Sequence, residues 1–148
     1  MGNELYRHCL RDENKMTKFK DLGLKEEVLR GVTDQGFEEA FEIQEAVIPV
    51  LLSGRDVVGQ AHTGSGKTAA FALSMLNDIT PKQGIQGLIM APTRELAMQI
   101  STEIKKMGKH TGIKIATVYG GQGMGIQLDA LHRGVEIIVA TPGRLIDH

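Results

Sequence analysis

The sequence predicts an α/β domain, a parallel sheet flanked by helices, on two observations. From Asp56 onward, short apolar runs alternate with helical segments in a strand, loop, helix rhythm. Those runs are apolar on both faces, as in a sheet covered on both sides. Strands are expected at 56–59, 87–90, 114–119 and 135–140, with helices near 67–78, 94–107 and 124–132. Upstream, Val28, Leu29 and Val32 give helical spacing over 25–35, and Gly36 is placed to end that helix. A second helix follows over 42–52 with Pro49 inside it, which should kink it or relax its second half. Residues 1–15 are polar and aperiodic and read as a tail, so the folded unit is expected over 16–148. There is no internal repeat and no low-complexity segment.

Composition bounds the function classes. The chain has 148 residues, room for one domain with a sizeable core. Hydrophobic residues make up 41% and charged residues 24%, with a formal net charge of −1, ordinary for a soluble globular protein. No apolar run approaches the roughly 20 residues that span a bilayer, so no membrane partner is expected. The opening MGNELYRHCLRDENK has no apolar stretch of signal-peptide type. The single Cys9 excludes an internal disulfide and gives no metal spacing, which fits a cytoplasmic location. Charge is uneven: residues 1–80 carry 9 Lys/Arg against 13 Asp/Glu, and residues 81–148 carry 8 against 5. A mildly basic second half is compatible with a bound polyanion, the plain alternative being a solvated surface of mixed charge.

The chemistry starts at Ala61-His62-Thr63-Gly64-Ser65-Gly66-Lys67-Thr68, between an expected strand and an expected helix. A polyphosphate needs many donors aimed inward with no side chains in the way. A glycine-rich loop supplies backbone N–H groups, and the helix N-terminus adds its dipole. In such a loop Lys67 reaches the β- and γ-phosphates and the Thr68 hydroxyl ligates Mg2+. The strict pattern begins with Gly, where this chain has Ala61. His62 reads as a tolerated loop residue, since phosphoryl transfer here depends on positioning and Mg2+. Alone, the segment says only that the chain is a P-loop nucleotide binder.

Three further loops narrow the reading. APTRELAMQ (91–99) follows the second expected strand, Gly120-Gly121 the third, and ATPGRLID (140–147) the fourth. All sit at carboxyl ends of strands, the edge where open α/β sheets bind ligands. Pro92-Thr93-Arg94 and Thr141-Pro142-Gly143-Arg144 each put a hydroxyl, backbone N–H groups and a guanidinium at a helix start. That combination suits phosphate oxygens and a 2′-hydroxyl rather than base edges. The plain alternative is that Thr93 and Thr141 cap helices and both arginines pair with nearby carboxylates. In this order the P-loop, PTRELA, GG and TPGR segments resemble the DEAD-box family of superfamily-two helicases, over residues 19–148.

The resemblance implies a RecA-like ATP-binding domain that uses Pro92, Thr93, Arg94, Gly120, Gly121, Thr141, Pro142, Gly143 and Arg144 to grip one RNA strand by its backbone. GFEEAFEIQ (36–44) resembles the family's Q motif, in which the Gln44 amide would hydrogen-bond adenine. Phe19, seventeen residues before Gly36, stands where the family carries an aromatic that stacks on adenine, with simple packing as the alternative. Ala40-Phe41 replaces the usual Pro-Thr, while Phe37 and Phe41 are expected in the core.

The implied activity is ATP-dependent RNA unwinding or remodelling of RNA–protein complexes. No Asp-Glu-Ala-Asp run occurs in the 148 residues, although in the family it supplies the magnesium-binding and water-activating carboxylates. The SAT motif and the second RecA-like domain with its arginine fingers are not present either. The resemblance therefore implies an incomplete unit that binds ATP and RNA without turnover and wants a second RecA-like domain as partner. An incomplete sheet layer is expected to be marginal or aggregation-prone. Two other readings stand beside it. A nucleoside kinase or transporter ATPase would lack PTRELA with TPGR. A non-catalytic nucleotide- or RNA-binding fragment is compatible with the helicase resemblance.

Overall fold

A computed structural model describes residues 16–148. The tail expected at 1–15, with Cys9 in it, lies outside the described residues. A 3-10 turn at Phe19–Asp21 leads into helices α1 (Glu26–Thr33), α2 (Glu42–Leu52) and α3 (Lys67–Asp78). Then follow β1 (Gly87–Met90), α4 (Arg94–Met107), β2 (Ile115–Val118), α5 (Met124–His132), β3 (Ile137–Ala140) and α6 (Pro142–Asp147). The helix through Pro49 runs unbroken to Leu52.

The strands form a parallel sheet in the order β1-β3-β2. Ile137 is in register with both Gly87 and Ile115, and Ala140 with both Met90 and Val118. With a strand on each side, β3 is buried along its whole length. Its Ile137 and Val139 enter the larger core, with Val28, Ile48, Leu73, Leu76 and Ile104. Removing such a side chain from water contributes about 1.5–3 kcal/mol. Ile138 and Ala140 point the other way, into a smaller core with Ala116, Val118 and Val135 against Leu131 and Leu145. Gly31 lets α1 approach α4 closely, since a Cβ there would overlap the Met107 carbonyl.

The amino-terminal end of the sheet is tied by Glu136. Its buried carboxylate accepts from Lys82 N at 2.8 Å and Lys114 N at 2.7 Å, joining the loops before β1 and β2. Nearer the surface, Asp34 accepts from His110 at 2.7 Å. That hydrogen bond, then the one from Lys109, holds the Asp34 carboxyl below its ordinary range.

Three expectations are corrected. Residues 56–59 form no strand, and Val58 is fully exposed. Among the described residues no strand pairs with this segment, although β1 and β2 each keep an outer edge without a partner strand. The sheet is not covered on both sides at β1, where Leu88 and Met90 are 49% and 63% exposed. Phe37 and Phe41 are each 49% exposed instead of buried, because the larger core is closed by Phe19, Leu22 and Leu24. Phe19 reaches that position through a backbone bridge between Lys18 and Glu39, with Phe19 N donating to Glu38 O at 3.1 Å. The turn at Phe19 is thereby fixed beside segment 36–44.

Candidate functional site

Gly66 sets the geometry of the glycine-rich loop. It precedes α3 with φ +83° and ψ 21°, the left-handed region open to glycine. Space forbids a side chain there as well. A Cβ would overlap the Gln44 amide nitrogen and lie 2.8 Å from the Phe41 ring. Gly64 is also left-handed, with φ +80°, but nothing lies within 4 Å of its missing Cβ, so that side of the loop is open. Lys67 opens α3, and its ammonium turns back onto the loop, donating to Ala61 O and to His62 O at 2.7 Å. Ser65 Oγ is buried and has no hydrogen-bond partner. His62, Thr63 and Gly64 are exposed.

Gln44 is buried at 3% and spans two elements with its amide. Oε1 accepts from Phe41 N at 2.9 Å, which secures the first turn of α2. Nε2 donates to Gly66 O at 3.1 Å, which ties α2 to the loop. Phe41 has no side-chain acceptor to return the cap, so this N-terminus is held from one side only. A cleft of about 540 Å³ runs between these parts, lined by Phe19, Phe37, Phe41, Gln44, Gly64, Gly66, Lys67 and Thr68. Phe19 is only 4% exposed and belongs to the core as well as to the cleft wall. Gln99 and Glu103 of α4 close the far side. Periodicity and motifs do not single them out, because they are polar residues of an amphipathic helix, Gln99 exposed and Glu103 half-buried.

A second cluster forms at the carboxyl end of the sheet. Thr93 Oγ1 accepts from Leu96 N at 3.2 Å and caps α4. Arg94 is about half exposed and reaches Glu95 at 3.1 Å. The Glu95 carboxyl is held below its ordinary range, first by a hydrogen bond from its own backbone and then by Arg94. Arg94 Nη1 also lies 3.3 Å from where a Gly121 Cβ would stand. With Tyr119, Gly121, Gln122 and Met98, the Arg94–Glu95 pair lines an open depression. Thr141 N donates to Val118 O at 2.9 Å, so the loop after β3 is bonded to β2 beside the Gly120-Gly121 turn. Pro142 opens α6, and Thr141 makes no side-chain cap.

Arg144 is turned inward. Its side chain is 15% exposed, and Nη1 donates to Gln122 O at 2.8 Å and to Gln127 Oε1 at 3.3 Å. Nε lies 3.7 Å from Asp147 and is buried without a hydrogen-bond partner. The plainer alternative for these loops thus describes much of their bonding: Thr93 is a cap, and both arginines stand beside a carboxylate. The loops share one end of the sheet all the same, and Arg94 remains open to a ligand.

Residues 41–148 match the family model described as DEAD/DEAH box helicase. The chain belongs to the DEAD-box helicase family. The DEAD-box ATP-dependent RNA helicase RhpA of Helicobacter pylori (strain B128) is 53% identical over 130 residues, covering 88% of this chain and 26% of that protein. CshA of Bacillus cereus (strain ATCC 10987 / NRS 248), another DEAD-box ATP-dependent RNA helicase, is 50% identical over 134 residues, covering 90% and 26%. This DEAD-box chain therefore spans about a quarter of the length of the curated relatives it matches. Among solved structures, a DEAD box protein from the hyperthermophile Methanococcus jannaschii superposes with a TM-score of 0.85 at 41% identity, covering 90% of this chain and 37% of that one. Dbp5 of S. cerevisiae, bound to RNA and ADP BeF3, gives 0.78 at 34% identity, covering 88% and 33%. The expected fold, a parallel RecA-like sheet flanked by helices, is borne out by these DEAD-box neighbours. Among the described residues no helix is long and apolar enough to cross a membrane.

Proposed function

We propose that residues 16–148 are the ATP-binding and RNA-backbone-binding portion of a DEAD-box RNA helicase. In the longer protein they would work with a second RecA-like domain in the cytoplasm, coupling ATP binding and hydrolysis to local unwinding or remodelling of RNA–protein complexes. The observation that carries the nucleotide part is the loop itself. A buried Ser65 hydroxyl lacks a partner next to a lysine satisfied only by loop carbonyls. Phosphate oxygens would give Ser65 an acceptor and offer Lys67 stronger, charge-assisted bonds than two neutral carbonyls. The Thr68 hydroxyl, at the cleft, would hold Mg2+, with phosphate oxygens and water completing its shell. Bound there, Mg2+ supplies charge neutralisation on the β- and γ-phosphates.

Adenine would lie at the mouth of the cleft, where Gln44 offers one donor and one acceptor and Phe19, Phe37 and Phe41 offer aromatic surface. RNA would follow the carboxyl end of the sheet over Pro92-Thr93-Arg94, the Gly120-Gly121 turn and Thr141-Pro142-Gly143. Arg94 is the charged contact exposed enough to meet a phosphate directly. These parts are non-catalytic taken alone: they bind without hydrolysing.

The test of the base site compares ATP with GTP in the parent, Gln44→Ala and Gln44→Glu. Glutamate keeps the acceptor for Phe41 N and loses the donor. The parent should prefer ATP by about 1–3 kcal/mol, the cost of leaving a matched amide unpaired. Both variants should lose most of that preference, and Gln44→Glu should retain more of the fold's stability. Equal affinity of the parent for ATP and GTP would sink the adenine reading.

A further inference from the structure

Helix α5 inverts the usual rule of burial. Ile126 and Leu128 are 59% and 39% exposed, while Gln127 between them is 2% exposed and is the helix's one buried residue. A buried amide is tolerated where its bonds are made, and here its full capacity is used. Nε2 donates to Tyr119 O at 2.8 Å and to Gln122 Oε1 at 3.0 Å, at both ends of the Gly120-Gly121 turn. Oε1 takes Arg144 Nη1 at 3.3 Å and pairs with His148 Nε2 at 2.9 Å, both from the segment after β3. Arg144 closes the ring by donating to Gln122 O at 2.8 Å.

We propose that Gln127 is a positioning residue for RNA binding: it locks the Gly120-Gly121 turn and Arg144 into one rigid unit and never touches the strand. Arg144 then acts mainly through the carbonyl of Gln122, holding the backbone of the turn where a phosphate meets it. The physical reason lies in the turn. Gly121 has φ +91° and neither glycine has a side chain to anchor it, so its conformation depends on bonds from outside. An unanchored turn would have to be ordered on binding, and that cost comes out of affinity. This inference rests on the RNA-binding reading above, so its test separates the two.

Gln127→Leu keeps the bulk and removes all four bonds, while Gln127→Glu keeps the acceptor facing Arg144 and loses the donors. Amide hydrogen exchange over 119–122 should rise about tenfold or more in Gln127→Leu, and less in Gln127→Glu. Affinity for unrelated single-stranded RNAs should fall together by about tenfold, with ADP affinity unchanged. Gln127→Leu combined with Arg144→Ala should lose little more than either alone, since both break one network. If Gln127→Leu does not fold, Gln127→Glu carries the same comparison. Unchanged exchange over 119–122 overturns the proposal, as does faster exchange with undiminished RNA binding. A parent that binds no RNA overturns the RNA-binding reading instead, and the exchange rates then still decide whether Gln127 holds the turn.

Discussion

Gly66→Ala should abolish nucleotide binding, with a loss of about a hundredfold or more, while Gly64→Ala should not. Both glycines are left-handed, so both substitutions carry a backbone cost of about 1–2 kcal/mol. The difference is in what a Cβ meets. At Gly64 it meets nothing within 4 Å. At Gly66 it overlaps the Gln44 amide and crowds Phe41, so the amide must leave Gly66 O. Forcing a methyl group into a packed site typically costs about 1–3 kcal/mol more. That damage falls on the junction between α2 and the loop, where base and phosphate sites meet. ADP affinity and the urea midpoint of both variants check it. Equal behaviour of the two would mean that the contact between Gln44 and the loop does not matter.

The larger effect concerns turnover. With ATP, Mg2+ and RNA together, the 148-residue chain should release no phosphate above background. As a phosphate cradle, Lys67, Thr68 and the loop amides would bear on ground state and transition state alike, and so would support affinity more than rate. Acceleration comes from a positioned water and from neutralising charge in the transition state, where an arginine finger alone is worth about a thousandfold or more. Among the described residues no group of three His, Cys, Asp or Glu could hold a metal. Among them, Glu39 and Glu103 are the carboxylates that line the cleft. Phosphate release stimulated by RNA, present in the parent and lost in Lys67→Ala, would contradict this. Glu39 and Glu103 would then be the first residues to substitute.

Much of this was legible in the chain because it is local. The helices at Glu42–Leu52, Lys67–Asp78, Arg94–Met107 and Met124–His132 follow from periodicity and from glycine and proline punctuation. The strands Gly87–Met90 and Ile137–Ala140 follow from short apolar runs. What was not legible depends on partners. Residues 56–59 have strand composition, but pairing depends on a neighbouring backbone as well, and they join no strand of the sheet. Phe37 and Phe41 read as core by hydrophobicity, yet the turn at Gly36 and the start of α2 leave both at the cleft. Arg144 looks like a phosphate ligand in its motif, and only the fold reveals Gln122 and Gln127 beneath it. Gln127 reads in the sequence only as a glutamine in a short, largely apolar helix. Nothing in one sequence says which position is buried, because α5 carries apolar residues all round.

Titration of ADP with Mg2+ into the folded parent and Lys67→Ala decides whether the loop at 61–68 is a phosphate cradle. Lys67 has no carboxylate partner in the loop, only the carbonyls of Ala61 and His62. Alanine therefore removes its charge with little damage elsewhere, and the thermal midpoint should move by no more than about 1 kcal/mol equivalent, the worth of ordinary hydrogen bonds. Saturable binding is expected in the parent and none in Lys67→Ala at the same concentrations. A folded parent that does not bind, or a Lys67→Ala variant that binds equally well, would contradict it.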